Sequence, residues 1–589
     1  MENKDNATLN MNRRKFLGYL GTGTAALAAA SAGLGTLAPV AEAANTADHL
    51  YGYDDVKLSP QAKPHAFFKP IMPTTEDDLV LADGFSYDVL AAYGDVINPK
   101  GDTFGFNCDF TIYFPINGSN ERGLLWVNLE YINDNYMKEQ YMPSFMQGTN
   151  LDTKRRYHQG GAVIEVYKDK NGTWKMDTSS KYARRLNGFT PFEIVGPARG
   201  SAAVGGATTA IGTWANCSGG MTLWNTLLSC EENFETQARR SNLPSEHYGW
   251  VIEVDPFDEK DENFKPRKHT ALGRFNHENT CMGLTKSGRI AVYMGDDKQN
   301  ACVYKYVSSG KFDAAKGKAN SKLLEDGTLY VANFAQGRWV KLDAAAVAAR
   351  VHASNFSVPN VLKMRDMTVE TLREMFPVNA TQADVMVNTH EAAIILGGTP
   401  TDRPEDLEIS PFDNSIFIAH TNNAVHGNIH GHITRIFEKE DDLESMEFMF
   451  EIFAAGGRQS GFSAPDNLTF DSNANIWVVT DMSESNIGKG VYAWHGNNGL
   501  FVLPTHGQNE GEAFQFASGP KGSELTGPWF TTDEKTLFLS VQHPIENWPR
   551  RKGDTDPLPS VVAIKGFKGN NLGKGNQGNN FGKETKSNK

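Results

Sequence analysis

One pattern recurs six times along the chain: a polar or acidic opener, a short apolar run, a turn, and a second apolar strand ending on another polar or acidic cluster. The second strands are 124–127 running into Asn128 and Glu130, 227–228 into Glu231 and Glu232, and 290–293 into Asp296 and Asp297. The series continues with 416–418 into Thr421, Asn422 and Asn423, 476–479 into Asp481, and 537–539 into Gln542 and His543. A two-strand unit that is apolar in its middle and polar at its ends cannot cover its own faces, so such units stack radially. The chain is therefore predicted to be all-β, a six-bladed β-propeller. Its 589 residues need not mean several domains, because each repeat extends one object instead of starting another core.

The first unit begins near Gly105, after an irregular, Pro-containing lead-in over about 44–75, and 162–166 reads as an outer blade strand. Between about 299 and 389 the pattern changes. Residues 340–350 and 368–376 have helical composition and spacing, with Thr368 as an N-cap, which predicts a small helical insertion over one mouth of the propeller. The propeller domain is assigned to 44–565. The Gly, Asn and Lys-rich stretch 566–589 holds few apolar residues and is predicted to be disordered.

The first residues form an address. Asn12-Arg13-Arg14-Lys15-Phe16-Leu17 sets paired arginines before a Gly and Ala-rich apolar stretch, and Ala41-Glu42-Ala43 offers a cleavage point, so 1–43 reads as a twin-arginine signal peptide. A membrane anchor is the weaker reading, since the stretch is rich in Gly, Ser and Thr and no second span follows. The expected partner is the twin-arginine export machinery, and the expected location periplasmic or secreted. That route carries folded proteins and suits a metal loaded before export. A net charge of −13 without a Lys/Arg stripe excludes a nonspecific nucleic-acid surface. The five cysteines are odd in number, so at least one is unpaired, and buried free thiols are the ordinary expectation for most of them.

The openers are Asp109, Cys217, Glu278, Glu405, Asp466 and Glu524. Innermost propeller strands run along the central channel, so these residues would ring its axis. Carboxylates aimed at one point repel unless a cation neutralises them, and a multi-metal centre resolves the conflict. The ordinary alternative is that each acid is a turn or strand-edge charge. Six coincident placements argue against it. Oxygens at Asp109, Asn128, Glu130, Glu232, Asp466 and Asp481 suit calcium, whereas the soft Cys217, at an opener position, points to a transition metal such as iron. Without the repeat, Cys217 would be a small buried hydrophobe. Arg403 suits a phosphate oxyanion at the rim of the site, or equally a salt bridge with Asp402 or Asp406. His426, His430 and His432 have metal-like spacing but read as an outer-strand turn. HExxH, GxSxG, Walker A and EF-hand motifs are absent, and a serine nucleophile has no support.

With the twin-arginine leader, the motifs 105–109 (GFNCD), 125–131 (LWVNLEY), 216–220 (NCSGG), 230–233 (CEEN), 277–278 (HE), 295–297 (GDD) and 403–406 (RPED) occur in an order that resembles the PhoX family of alkaline phosphatases. The resemblance implies a six-bladed propeller with iron and calcium in its channel, exported and hydrolysing phosphate monoesters. It implies that Cys217, Glu278 and Glu405 hold iron and that Asp109, Asn128, Glu130, Glu232, Asp297 and Asp481 are calcium ligands. Arg403 would hold the phosphate, and no side chain would serve as nucleophile. Leu129 departs from the family, which commonly has His there, and cannot be a ligand. Two other readings compete. A calcium-dependent lactonase-like propeller would suit 463–471 but leaves Cys217 and Arg403 unexplained, and a non-catalytic binding propeller would use metals only to pin its blades.

Overall fold

Each apolar run of the repeat forms the second strand of a mostly antiparallel sheet, and there are six such sheets in the computed structural model. Residues 68–568 are described; residues 1–67, which hold the leader and most of the lead-in, and residues 569–589 of the tail lie outside them. The inner pairs are Cys108–Pro115 with Arg122–Leu129, Asn216–Met221 with Leu227–Glu231, and Cys281–Leu284 with Arg289–Gly295. Then follow Pro404–Ile409 with Ile416–His420, Pro465–Phe470 with Asn475–Thr480, and Glu524–Phe530 with Thr536–Gln542. Further strands add outward to each pair. The sixth blade combines both ends of the described chain: Ser560–Lys565 pairs with Thr536–Gln542 on one side and with Ser86–Ala92 on the other.

The second strands are continuous apolar runs because both faces of a blade are covered. Side chains alternate between the faces of a strand. Leu125 and Val127 accordingly join a core with Phe538 and Val561 of the sixth blade, while Leu124 and Trp126 join one with Leu227 and Ile252 of the second. In the third blade Ile290 and Val292 pack towards Leu228 and Val251, and Ala291 and Tyr293 towards Ile416 and Ile418. The polar residues these strands do carry are buried and paired: the Ser540 hydroxyl donates to the Asp109 carbonyl at 2.6 Å.

Polar clips join the inner strands around the ring. The Thr111 hydroxyl donates to the Gly527 carbonyl (2.6 Å), and Asn128 Nδ2 to the Cys217 and Ser218 carbonyls (2.8 and 2.9 Å). Asn279 exchanges hydrogen bonds with the Leu407 backbone, Asp406 accepts from Leu468 N, and Asn467 accepts from Gly527 N. Blades two and three approach closely at Gly220, where a Cβ would collide with the Thr280 carbonyl oxygen.

The helical insertion differs from the sequence expectation in extent and place. Residues expected inside it form strands of the third blade, Val303–Lys311, Gly327–Asn333 and Arg338–Lys341, and the α-helices run from Ala344–Val351 to Thr389–Leu396. Strand 303–307 is buried on both faces, with Lys305 held in an ion pair with Glu438, so it lacks the polar–apolar alternation that marks a half-exposed strand. Thr368 does cap its helix, accepting from Thr371 N at 3.1 Å. The helices bury Val347, Leu372, Val385 and Ile395 in the core that blades two and three share. They flank those blades, and none of their residues lines the cavity described below.

Candidate active site

At one end of the inner strands, four blades share a local distortion. The pairing register shifts between Cys108 and Thr111, Asn216 and Gly219, Pro404 and Leu407, and Pro465 and Leu468. Asp109, Cys217, Glu405 and Asp466 fall inside these shifts, where a β-bulge re-aims a side chain. Two residues before each, the backbone is left-handed: Asn107 (φ 47°), Ala215 (φ 52°), Arg403 (φ 57°) and Ala464 (φ 54°). The carbonyls of these residues accept the N–H of the closing residue of the same unit: Glu130 (3.0 Å), Glu232 (2.8 Å), Thr421 (3.1 Å) and Asp481 (2.9 Å). Asn276 does the same for Asp297 in the third blade, at 2.9 Å. Opener and closer of a blade are thus delivered to one level by a single backbone device.

A cavity of ≈ 480 Å³ opens there, lined from every blade. Its walls include Glu130, Cys217, Glu232, Glu278, Asp297, Arg403, Glu405, Asp481 and Glu524. Three sets of donors converge, each with its ligand atoms within 4.8 Å of one another: Asp109 with Glu130 and Cys217, Cys217 with Glu232 and Glu278, and Glu278 with Glu405 and Asp466. Cys217 Sγ lies 3.3 Å from both Asp109 Oδ2 and Glu278 Oε1. The Thr526 hydroxyl bridges Asp109 and Asn467, and Gln542 Nε2 donates to Asp109 (3.0 Å) and Glu130 (3.2 Å).

Without a cation this cage is electrostatically strained. Burial, with smaller opposing hydrogen bonds from Thr526 and Cys217, pushes Asp109 up to about 7. Burial and then repulsion by Glu232 and Asp109 raise Glu130; burial and then Glu405 and Asp466 raise Glu278. Glu232, Glu405 and Asp466 rise chiefly by burial as well, and the Cys217 thiol rises by burial beside Asp109 and Glu278. Glu278 Oε2 is buried without any hydrogen-bond partner. An unpaired buried carboxylate oxygen among several others is the chemistry a metal ion resolves. The donor set, one sulfur among hard oxygens, fits a mixed centre.

Not every expected ligand faces this cavity. Asn128, expected to bind calcium, lies behind it. Its Oδ1 accepts from Trp126 Nε1 (2.6 Å) and Ser229 Oγ (2.7 Å), while its Nδ2 serves the two carbonyls of the neighbouring blade. That carboxamide is fully used in holding blades one and two together, so Asn128 is corrected from ligand to interblade clip. Arg403 pairs with neither Asp402 nor Asp406. Its Nε and Nη2 fork onto Asp297 at 2.9 and 2.7 Å, and Nη2 also reaches Glu405 Oε1 at 2.6 Å. Only Nη1 has no hydrogen bond among the described residues. The histidine-rich segment is a turn leading into the outer strand His432–Glu438, with His426 Nδ1 2.5 Å from Asp402 Oδ1. All five cysteines are free thiols.

Several residues that line the cavity carry no ligand or substrate role in the sequence expectations: Lys298, Tyr131, Asn233 and Ser483, together with Glu524 and His543, which the repeat places only as an opener and a closer. Asp466, an opener whose oxygens suit calcium but to which the family resemblance gives no ligand role, belongs to a donor set. Its place at an opener of the repeat was the available signal, and Lys298 follows directly on Asp297.

A family model, alkaline phosphatase PhoX, matches residues 66–545. Among solved structures, PhoX of Pseudomonas fluorescens in complex with vanadate, a transition state analogue, is similar at 30% identity with a TM-score of 0.72. That match covers 85% of this chain and 97% of the other. A gluconolactonase of Xanthomonas campestris is similar at 9% identity and a TM-score of 0.26, covering 78% of this chain and 96% of that one. The latter likeness is too distant to bear on function. No curated protein matches the chain.

Proposed function

The chain belongs to the PhoX family of alkaline phosphatases and hydrolyses phosphate monoesters, and from that premise we propose that its carboxylate and thiol cage holds an iron and calcium centre serving this reaction. Cys217, Glu278 and Glu405 would hold iron, and Asp109, Glu130, Glu232, Asp297 and Asp481 are the calcium candidates, with Asp466 added to the set. The observation that carries the proposal is the position of Cys217 in two of the three donor sets, the only soft donor in them. When bound, such a centre supplies positive charge to the phosphoryl oxygens and activates water.

The chain's own residues bind and orient. Asp297 and Glu405 hold the Arg403 guanidinium from one side, so its free Nη1 is the group offered to a phosphoryl oxygen. Cys217 is a poor nucleophile in its own right, because burial among carboxylates keeps it a thiol. The Ser483 hydroxyl on the cavity wall has no hydrogen-bonded base among the described residues. Both points favour hydrolysis without a protein nucleophile. The leader supports export by the twin-arginine machinery to a periplasmic or secreted location. No helix among the described residues is long and apolar enough to cross a membrane. A parallel assay of a chromogenic phosphomonoester and a lactone, on metal-replete protein, tests the reading. Phosphomonoester turnover alone is expected, and lactone turnover with calcium alone would overturn it.

A further inference from the structure

The cavity mouth is chemically lopsided. Asn233, Lys298, Gln299, Arg403 and Ser483 bring amide, charged or hydroxyl groups from blades two to five. The only rings on its lining are Tyr131 and His543, from the adjacent blades one and six. In a closed ring of six, these two blades stand across the channel from blades three and four, which carry Asp297, Lys298 and Arg403. Tyr131 is 40% exposed, a large apolar ring left open inside a cavity otherwise lined by polar groups. Its ring centroid lies 6.4 Å from that of His543, with planes inclined by 39°. The imidazole is fixed on both sides, with Nδ1 2.9 Å from the Gly522 carbonyl oxygen and Nε2 3.4 Å from Glu524 Oε2. Tyr131 itself follows directly on Glu130, whose N–H is tied to Asn107.

Resting on the phosphatase reading, we propose that Tyr131, backed by His543, forms the leaving-group platform and makes the enzyme selective for monoesters of planar aromatic groups, aryl or nucleobase-bearing. With the phosphoryl group held by Arg403 and the acidic cage closing the inner end, the ester substituent has to extend through the mouth. There the Tyr131 face is the surface on which a flat π-system stacks. The ≈ 480 Å³ volume exceeds what a phosphoryl group needs and leaves room for a ring. The opposite, polar wall offers a ring no comparable face.

Non-hydrolysable ligands test this without relying on turnover. Calorimetric titration of the metal-replete protein with phenylphosphonate, methylphosphonate and inorganic phosphate should give a Kd about tenfold lower for phenylphosphonate than for methylphosphonate. Tyr131→Ala should erase that preference while holding the phosphate Kd within about twofold, and Tyr131→Phe should keep it. His543→Ala, which leaves the Glu130 segment untouched, should reduce the preference about threefold and serves if Tyr131→Ala does not fold. Equal affinity of the wild type for the two phosphonates, or equal weakening of all three ligands by Tyr131→Ala, overturns the inference alone. Failure of the wild type to bind any of the three overturns the phosphatase reading with it.

Discussion

Cys217 Sγ lies 3.3 Å from Glu278 Oε1, joining an opener of the second blade to that of the third. Two groups that repel when ionised are packed side by side in a buried site, an arrangement that asks for a shared cation. Replacement of Cys217 by Ser keeps the size and removes the soft donor. Iron content should fall below about a tenth of the wild-type value and kcat by at least about 100-fold, with calcium partly retained. Elemental analysis alongside phosphomonoester kinetics reads both quantities.

Arg403 should not tolerate Lys. A lysine keeps the charge, but its single ammonium nitrogen cannot reproduce the planar two-nitrogen fork that Arg403 places on Asp297. Arg403→Lys is expected to lower kcat/KM about 100-fold, roughly 2.7 kcal/mol, and to weaken inhibition by phosphate, with Arg403→Ala lower still. Steady-state kinetics on samples of matched metal content would show it.

Metal-stripped protein should lose stability as pH rises. Asp109, Glu130 and Glu278 have folded-state pKa values above their unfolded ones, so the folded state binds more protons than the unfolded state between those values. Stability is therefore greatest below about pH 4 to the extent that these groups set it, and falls as pH climbs through about 7, the folded value of Asp109. The Tm of chelated protein should drop by several degrees between pH 5 and 8, while metal-replete protein shows no such loss attributable to the cage. Parallel thermal melts across that range provide the check.

Asn128 should behave as a structural residue. Asn128→Ala removes four hydrogen bonds between and within blades one and two. A destabilisation of about 2–4 kcal/mol is expected in denaturant melts, with calcium per folded molecule unchanged. Loss of one calcium at full stability would restore the ligand role expected from sequence.

The blades were legible because every second strand is covered on both faces, which writes an uninterrupted apolar run such as 476–479 into the sequence. The openers were legible because repetition fixed their register, and it singled out Cys217 over Cys230, which lies in the second strand away from the cavity. What aims the openers was not legible. Ala215, Arg403 and Ala464 adopt left-handed backbone through tertiary hydrogen bonding, and Ala and Arg carry no propensity that announces it. Asn128 was misread because an amide that ligates and one that clips two strands look alike until its partners are known. The extent of the insertion was misjudged because doubly covered strands of the third blade lack the alternation that separates strand from helix. Tyr131 lies just beyond the first closing cluster and His543 ends the last, and neither has a role legible in sequence because only the ring's closure brings them together.

The central claim is that buried carboxylates and one thiolate share a mixed metal centre on which phosphomonoester hydrolysis depends. Elemental analysis of protein purified without chelator, joined to the activity of the same sample before and after exhaustive metal removal, tests it most directly. Iron and calcium together in the purified protein, with activity lost on stripping, are predicted. Full activity surviving in protein free of both metals would contradict the account.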